Sequence, residues 1–408
     1  MRKPMAQKIA LLYPASVPWF ARCLDGIRRY AREHGHWHLV SSPPTLTGAE
    51  ESALTLRAMQ GWKGDAMIIA SNSRAELQRA RAMRIPIINL AGGLPTSHGI
   101  PRVMVNHFLA GRMAADHLLE RGLRHLAFFG WNRLWYSDQR RRGFLERAAQ
   151  AGAASEAYLL DPGTKPNLSW RQRIAGPARW LASLPQPCGI FAVHDYRAQF
   201  LLEACGEAAR RVPEDIALIG MDDDETICEH SAPKITSVSR NSEQVGWEAL
   251  ALLDRMLRGE RPPARDLLVD PDGVVTRQST DMLYCADPLV RRAIDLVRAD
   301  FKIQLNVATL AECLGVSKRT LETRFREAAG SSPHGFITKL RVQQAKVLLA
   351  SSPRRTIEEI ALACGFGTPA TAYAAFQRVT GKSPATFRKT ARSGPGRRWL
   401  SMAPRGEI

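Results

Sequence analysis

Leu310-Ala-Glu-Cys-Leu-Gly-Val-Ser317 and Ile360-Ala-Leu-Ala-Cys-Gly-Phe366 carry one pattern written twice, an aliphatic–Ala pair with a glycine five positions after its first member. The echo continues downstream. Phe325, Gly330-Ser-Ser-Pro333 and Phe336 return as Phe376, Gly381-Lys-Ser-Pro384 and Phe387. A fixed internal period means one supersecondary unit used twice. Each unit reads as an apolar-periodic helix, a tight Gly turn and a second helix, the helix-turn-helix arrangement. Ser317 is a natural N-cap for the second helix of the first unit. Lys318, Arg319, Glu322, Thr323 and Arg326 form the polar side of that helix, and Leu321 and Phe325 face the core. A connecting helix over Pro333–Ala350 places Phe336, Ile337, Leu340, Val347 and Leu348 on one face. Its length of roughly 27 Å suits two readers set near the ~34 Å separation of successive major grooves.

Charge agrees with a DNA partner. Pro288 to Ile408 hold 21 Lys/Arg against 8 Asp/Glu, whereas the 287 residues before them hold 36 against 31. A basic end on a nearly neutral body is the footprint of a polyanion binder. The seven cysteines are scattered, odd in number and lack a C-x-x-C pair. That argues against a disulfide framework or a metal site and for a reducing, cytoplasmic setting. The apolar stretch Ile9 to Tyr13 is too short for a signal segment or a span, so no membrane is expected. No G-x-G-x-x-G, Walker A, G-x-S-x-G or H-E-x-x-H motif occurs, and neither an enzyme nor a cofactor is expected.

Through the first 280 residues, short apolar runs alternate with amphipathic stretches. Strands are expected at 8–13, 66–70, 85–90, 103–105, 125–129, 189–193 and 216–221, and helices at 19–34, 108–121, 141–151, 197–209 and 243–258. That alternation implies parallel sheets covered on both faces, with room for two lobes. Ligands of such sheets sit beyond the strand carboxyl ends. Asn106, then Trp131, Trp135, Tyr136 and Arg140, then His194-Asp195, then Asp222-Asp-Asp224 follow the expected strands. Aromatic faces stack on sugar C–H groups, while carboxylates and amides hold hydroxyls. Singly, each has a plainer reading: Trp131 as core, Asp222–Asp224 as a helix-capping loop, Arg140–Arg142 as a solvated face.

Two resemblances extend this reading. Lys8-Ile-Ala-Leu-Leu-Tyr13, Ala217-Leu-Ile-Gly-Met-Asp-Asp223, Ile235-Thr-Ser-Val238 and the helix near Asn241 with Gly246 resemble the periplasmic-binding-protein-like sensor domain of LacI-type sugar repressors. Those repressors carry a reader ahead of the sensor; none is expected here, because the chain opens on the first sensor strand. The repeated motifs, with Arg341, Ala345, Ile357-Glu-Glu-Ile-Ala361 and Gly381-Lys-Ser-Pro-Ala-Thr-Phe-Arg388, resemble the AraC/XylS family DNA-binding domain. The pairing resembles regulators of the xylose-operon type. It implies a two-lobed α/β sensor at 1–284, an all-α domain with two helix-turn-helix units at 285–390 and a basic, disordered tail at 391–408.

The resemblance also implies partners and sites: a double-stranded DNA operator, a sugar effector (D-xylose or a related sugar), RNA polymerase and a second copy in a homodimer. Sugar contacts would fall on Asn106, Arg140, His194, Asp195 and Asp222, where Arg140 precedes Gly143 as in the family's R-x-x-G and His194 stands where Asn is common. Trp135 joins them as a strand-end aromatic. Trp19 and Phe20 replace charged residues of the xylose type, which leaves a different monosaccharide or a glycoside open as effector, just as repression stays open beside activation. Base contacts would come from Arg319, Glu322 and Thr323. The second unit offers Thr371, Tyr373, Gln377 and Arg378, with Ala372 and Ala374 at positions that are usually larger.

Overall fold

A computed structural model describes residues 6–13, 17–35, 37–41, 56–59, 61–162, 168–282, 287–299, 306–329, 331–351 and 355–392. The expected 284/285 boundary, Gly330 and residues 393–408 of the tail lie outside them. The chain divides into two compact units, Met1–Met282 and Leu283–Ile408.

In the first unit the strands are β1 (Gln7–Leu12), β2 (Trp37–Ser41), β3 (Ala66–Ile69), β4 (Ile87–Asn89), β5 (Val103–Val105), β6 (His125–Trp131), β7 (Ala154–Leu160), β8 (Cys188–Ala192), β9 (Ile216–Met221), β10 (Thr236–Ser239), β11 (Leu267–Val269) and β12 (Gly273–Val275). The helices are α1 (Pro18–His34), α2 (Arg74–Ala82), α3 (His107–Leu119), α4 (Trp135–Gln150), α5 (Trp170–Ser183), α6 (Asp195–Glu207), α7 (Glu225–Cys228) and α8 (Ser242–Leu257). One lobe holds the parallel sheet β2-β1-β3-β4 and the pair β11-β5. The other holds β12-β10-β9-β8-β6-β7, parallel except for the β10–β12 pair. Strands β3, β8 and β9 are buried along their whole length, as expected of parallel strands covered on both faces.

The chain crosses between lobes three times, after β5, β10 and β11, and the crossings are bonded together. Asn106 Nδ2 donates to Asp270 Oδ1 (3.1 Å), Asn241 Nδ2 donates to the Asp270 carbonyl (3.1 Å) and the Asn106 N–H donates to the Val269 carbonyl (2.7 Å). Each lobe is closed by one very tight helix crossing. A Cβ on Gly26 of α1 would lie 1.8 Å from the Glu243 carbonyl oxygen, and one on Gly246 of α8 would lie 1.9 Å from that of Cys23. In the other lobe, a Cβ on Gly111 of α3 would meet the Arg140 carbonyl oxygen at 2.0 Å, and one on Gly143 of α4 that of Phe108 at 2.0 Å. Backbone therefore rests on backbone at both crossings, which only glycine allows.

The second unit has α9 (Pro288–Ala299), α10 (Val307–Cys313), α11 (Lys318–Ala329), α12 (Pro333–Ser351), α13 (Ile357–Ala363), α14 (Pro369–Thr380) and α15 (Pro384–Arg392). Helices α10–α11 and α13–α14 are the two repeats, each turning on a glycine with positive φ, Gly315 (67°) and Gly365 (79°). Ser317 Oγ accepts from the Thr320 N–H (3.1 Å) as the expected N-cap. Thr356 and Thr368 close capping boxes ahead of α13 and α14. There are two cores: Leu310, Leu321 and Phe325 sit in one, Ile360, Ala372 and Phe376 in the other. Helix α12 belongs to both. Ile337 is buried in the first core with Phe336 and Leu340 packed against it, whereas Val342, Ala345 and Leu349 are buried in the second. The single apolar face expected from the spacing is thus replaced by two, because the helix serves a different core at each end. Val347 carries no described side chain.

Candidate effector cleft and DNA-reading helices

Between the lobes lies a cavity of about 470 Å³. Its wall includes Trp19 and Phe20 of α1, Asn72 after β3, His107 at the start of α3, Tyr136 of α4, and His194, Asp195 and Asp222 at the ends of β8 and β9. Asp222 is the electrostatic centre. It accepts from His194 Nδ1 (2.7 Å) and Arg240 Nη1 (3.1 Å), and Arg140 Nη2 lies 3.7 Å away. Burial works to raise its carboxyl pKa, but His194, Arg240 and Arg140 outweigh burial and hold it well below the usual range. Asp222 has φ 115° and Asp223 φ 51°, both in the left-handed region, which aspartate enters more readily than most non-glycine residues. Their carbonyls accept from the guanidinium of Arg22 (2.7 Å to Asp223), so α1 in one lobe grips the β9 loop of the other.

Burial lowers the His194 pKa, against the pull of the Asp222 carboxylate. Its Nδ1–H donates to Asp222, and Nε2 accepts from the Tyr136 hydroxyl (3.2 Å). Asp195 behaves in the opposite way to Asp222. Burial, followed by the charge of Asp222, pushes it up to about 7, although Ser237 Oγ (2.6 Å) and the Asp224 N–H (2.8 Å) both donate to it. His107 is held neutral by burial and by Arg140. Its Nδ1 accepts from Arg140 Nε (3.2 Å), so the proton is on Nε2, a buried N–H on the cavity wall with no partner. An orphaned buried donor of this kind costs free energy until an acceptor arrives. The face of Trp19 carries the Arg240 guanidinium at 3.8 Å.

Five of the eight expected sugar contacts therefore line one cavity: Trp19, Phe20, His194, Asp195 and Asp222. The other three stand behind it. Arg140 is fully buried because α4 begins at Trp135, not near Arg141 as expected; it braces His107, the Val193 carbonyl and Asp222. Trp135, on the first turn of α4, packs against Arg102 (5.3 Å) and His107 (6.0 Å). Asn106 caps α3 by accepting from the Leu109 N–H and ties the lobe crossings together. Trp131 is the last residue of β6, which runs two residues past the expected end, and it lines a separate cavity. Asp224 caps α7 through the Thr226 N–H (3.0 Å), the plainer reading of that loop. Asn72, His107, Arg22 and Arg240 were missed. Asn72 and His107 each follow an expected strand by two residues and the same rule would have found them; Arg240 follows β10, where no strand was expected, and Arg22 lies within α1 and carries no sequence signal.

On the second unit, Lys318, Arg319, Thr323 and Arg326 of α11 are exposed and Glu322 is half-buried, 3.9 Å from Lys318. On α14, Thr371, Gln377 and Arg378 are exposed and Tyr373 is half-buried. The Thr371 hydroxyl turns back to donate to the Thr368 carbonyl (2.7 Å), so its hydrogen-bonding capacity is already in use. Ala372 is buried and Ala374 exposed. Arg324, on the inner side of α11, holds Asp287 bidentately at 2.7 Å and ties α9 to the first repeat.

A two-lobed cleft followed by paired helix-turn-helix units defines a class: a DNA-binding transcription regulator with a sugar-sensing domain. The family "Periplasmic binding proteins and sugar binding domain of LacI family" matches residues 6–165, "Periplasmic binding protein-like domain" matches 115–280, and "Helix-turn-helix domain" matches 310–390. The chain is similar to the xylose operon regulatory protein of Escherichia coli K12, 27% identical over 93% of this chain and 96% of that one. It is equally similar to the protein of that name from Haemophilus influenzae, at 27% identity over 93% and 98%. The solved structure of the xylose-binding transcription activator xylR superimposes with a TM-score of 0.62, at 25% identity over 94% of this chain and 98% of that one. These relatives are transcription regulators. Among the described residues no helix is long and apolar enough to cross a membrane.

Proposed function

We propose that the chain is a cytoplasmic, non-enzymatic activator of a xylose-type pentose utilisation operon, working as a homodimer that engages RNA polymerase at its operator. Residues 1–284 serve as the sensor, 285–390 as the DNA reader and 391–408 as a basic tail. The observation that carries this reading is the cleft wall. Aromatic faces, a partnerless N–H on His107 and fixed polar groups on both lobes converge there on one space. Trp19, Phe20, His107, Tyr136, His194, Asp195 and Asp222 contact the effector, and Arg140, Asn106 and Trp135 hold that wall in place. A sugar bridging the lobes biases their arrangement only through its differential affinity for the arrangements. Similarity to xylose operon regulators over nearly the whole chain supports the pentose.

The test is a titration of the full-length protein with pentoses and hexoses, read by tryptophan fluorescence, since Trp19 lies on the wall. Saturable change with D-xylose and a matching change in operator affinity are expected. Silence across the panel would overturn the sugar reading.

A further inference from the structure

A second cavity, about 790 Å³, opens on the far side of Tyr196 in the lobe built on β6–β10. It lies between β7, α5 and α6, and Tyr196 lines both it and the cleft. Among the described residues only two aromatic side chains are strongly exposed, Trp170 (57%) and Tyr196 (44%), and both are on this one wall. Exposed rings gathered in one groove are costly in water and mark a contact surface. They are also held rigidly. Trp170 stands edge-on to Phe200 at 5.7 Å, and Tyr196 stacks on His194 at 5.1 Å and accepts from Trp131 Nε1 at 3.3 Å. Arg197 lies over Trp131 at 4.1 Å with its Nε–H buried and without a partner. Gln199 stands among the rings with an amide donor and acceptor, and Gln172 adds its amide N–H groups, its Oε1 being taken by the Ser169 N–H (2.9 Å) in the cap of α5.

We infer that this groove is a second sugar subsite adjoining the cleft across Tyr196, and that a neutral di- or oligosaccharide of the sugar held in the cleft binds more tightly than that sugar alone. One ring occupies the cleft, and the next passes Tyr196 to stack in the groove. Flat aromatic faces with amides between them suit a pyranose ring, which offers C–H faces and equatorial hydroxyls together. The wall sets Arg173 and Arg197 against Asp161 and Glu203, so its charges balance, which disfavours a phosphate or carboxylate occupant. This inference rests on the sugar reading above.

Calorimetric titration of the full-length protein with xylose and xylobiose, and with glucose and cellobiose, tests it alongside Trp170→Ala. The exposed position of Trp170 makes that variant safe for folding, and circular dichroism checks it. For the responding pair, the disaccharide is expected to bind more tightly than its monosaccharide. Trp170→Ala should lower disaccharide affinity roughly five- to tenfold and leave monosaccharide affinity unchanged. A monosaccharide that binds as well as its disaccharide, or equal effects of Trp170→Ala on both, would overturn the subsite and leave the sugar reading standing. No binding by any of the four would overturn both.

Discussion

Asp222 and Asp195 are two carboxylates of one cleft with opposite titration behaviour, and the signs follow from their neighbours. Asp222 is held low, so its contribution to stability is present above the unfolded carboxylate pKa and is lost as pH falls through the depressed folded value. Asp222→Asn leaves Arg140 buried without its counter-charge and is expected to cost about 3–5 kcal/mol in urea unfolding. Asp195 is raised to about 7, so the folded protein keeps a proton that the unfolded chain releases. Stability from this group therefore falls as pH climbs from the ordinary carboxylate range toward 7. Between pH 5 and 8 the wild type should lose about 2 kcal/mol more than Asp195→Asn; parallel losses would mean Asp195 is already ionised when folded. The carboxylates were legible in the sequence because both follow apolar strands. Their division of roles was not, since it depends on Arg140 and Arg240, which arrive from separate elements.

At the level of elements, the two reading helices are unequal. Arg319 is exposed on α11, while on α14 the Thr371 hydroxyl is spent on its own first turn. Arg319→Ala should relax sequence preference at one base pair by about 1–3 kcal/mol. Tyr373→Ala should weaken all sequences alike; competition binding against operator variants at fixed salt separates the two, and equal loss of specificity would refute the asymmetry. Phe325 is fully buried in the core of the first repeat. Phe325→Ala should cost about 3–5 kcal/mol in thermal or urea unfolding. The repeat, its caps and its turn glycines could be read directly, because local chemistry sets them. The start of α4 could not. Trp135-Tyr-Ser-Asp138 has no strong cap and reads as a loop, and the Gly111–Gly143 contact that fixes its helix is long-range.

Taken as one molecule, the chain concentrates positive charge at one end, +13 of its net +18 lying beyond residue 287. Operator binding should therefore weaken steeply with salt. With six to ten phosphate contacts, affinity falls by about 10³–10⁵ between 50 and 200 mM salt. A shallow slope in a salt-dependent binding series would contradict a DNA grip of that size. The strand-end rule found Tyr136, His194, Asp195 and Asp222 because ligand sites in open sheets follow topology, while Trp19 and Phe20 came from the resemblance. The rule missed the clasp of Arg22 on the β9 loop, which exists only once both lobes are assembled.

The paired glycines carry a mechanical consequence. With backbone seated on backbone at α1–α8 and α3–α4, neither lobe has slack to deform when a small molecule arrives. Between the lobes stand the three crossings at Asn106, Asn241 and Asp270, the Arg22 clasp and the Trp135 and Tyr136 N–H bonds to Gly93 and Gly92, a small set of hydrogen bonds. The sensor is thus two stiff jaws on a soft joint, and a message from the cleft must leave it as rotation rather than as strain.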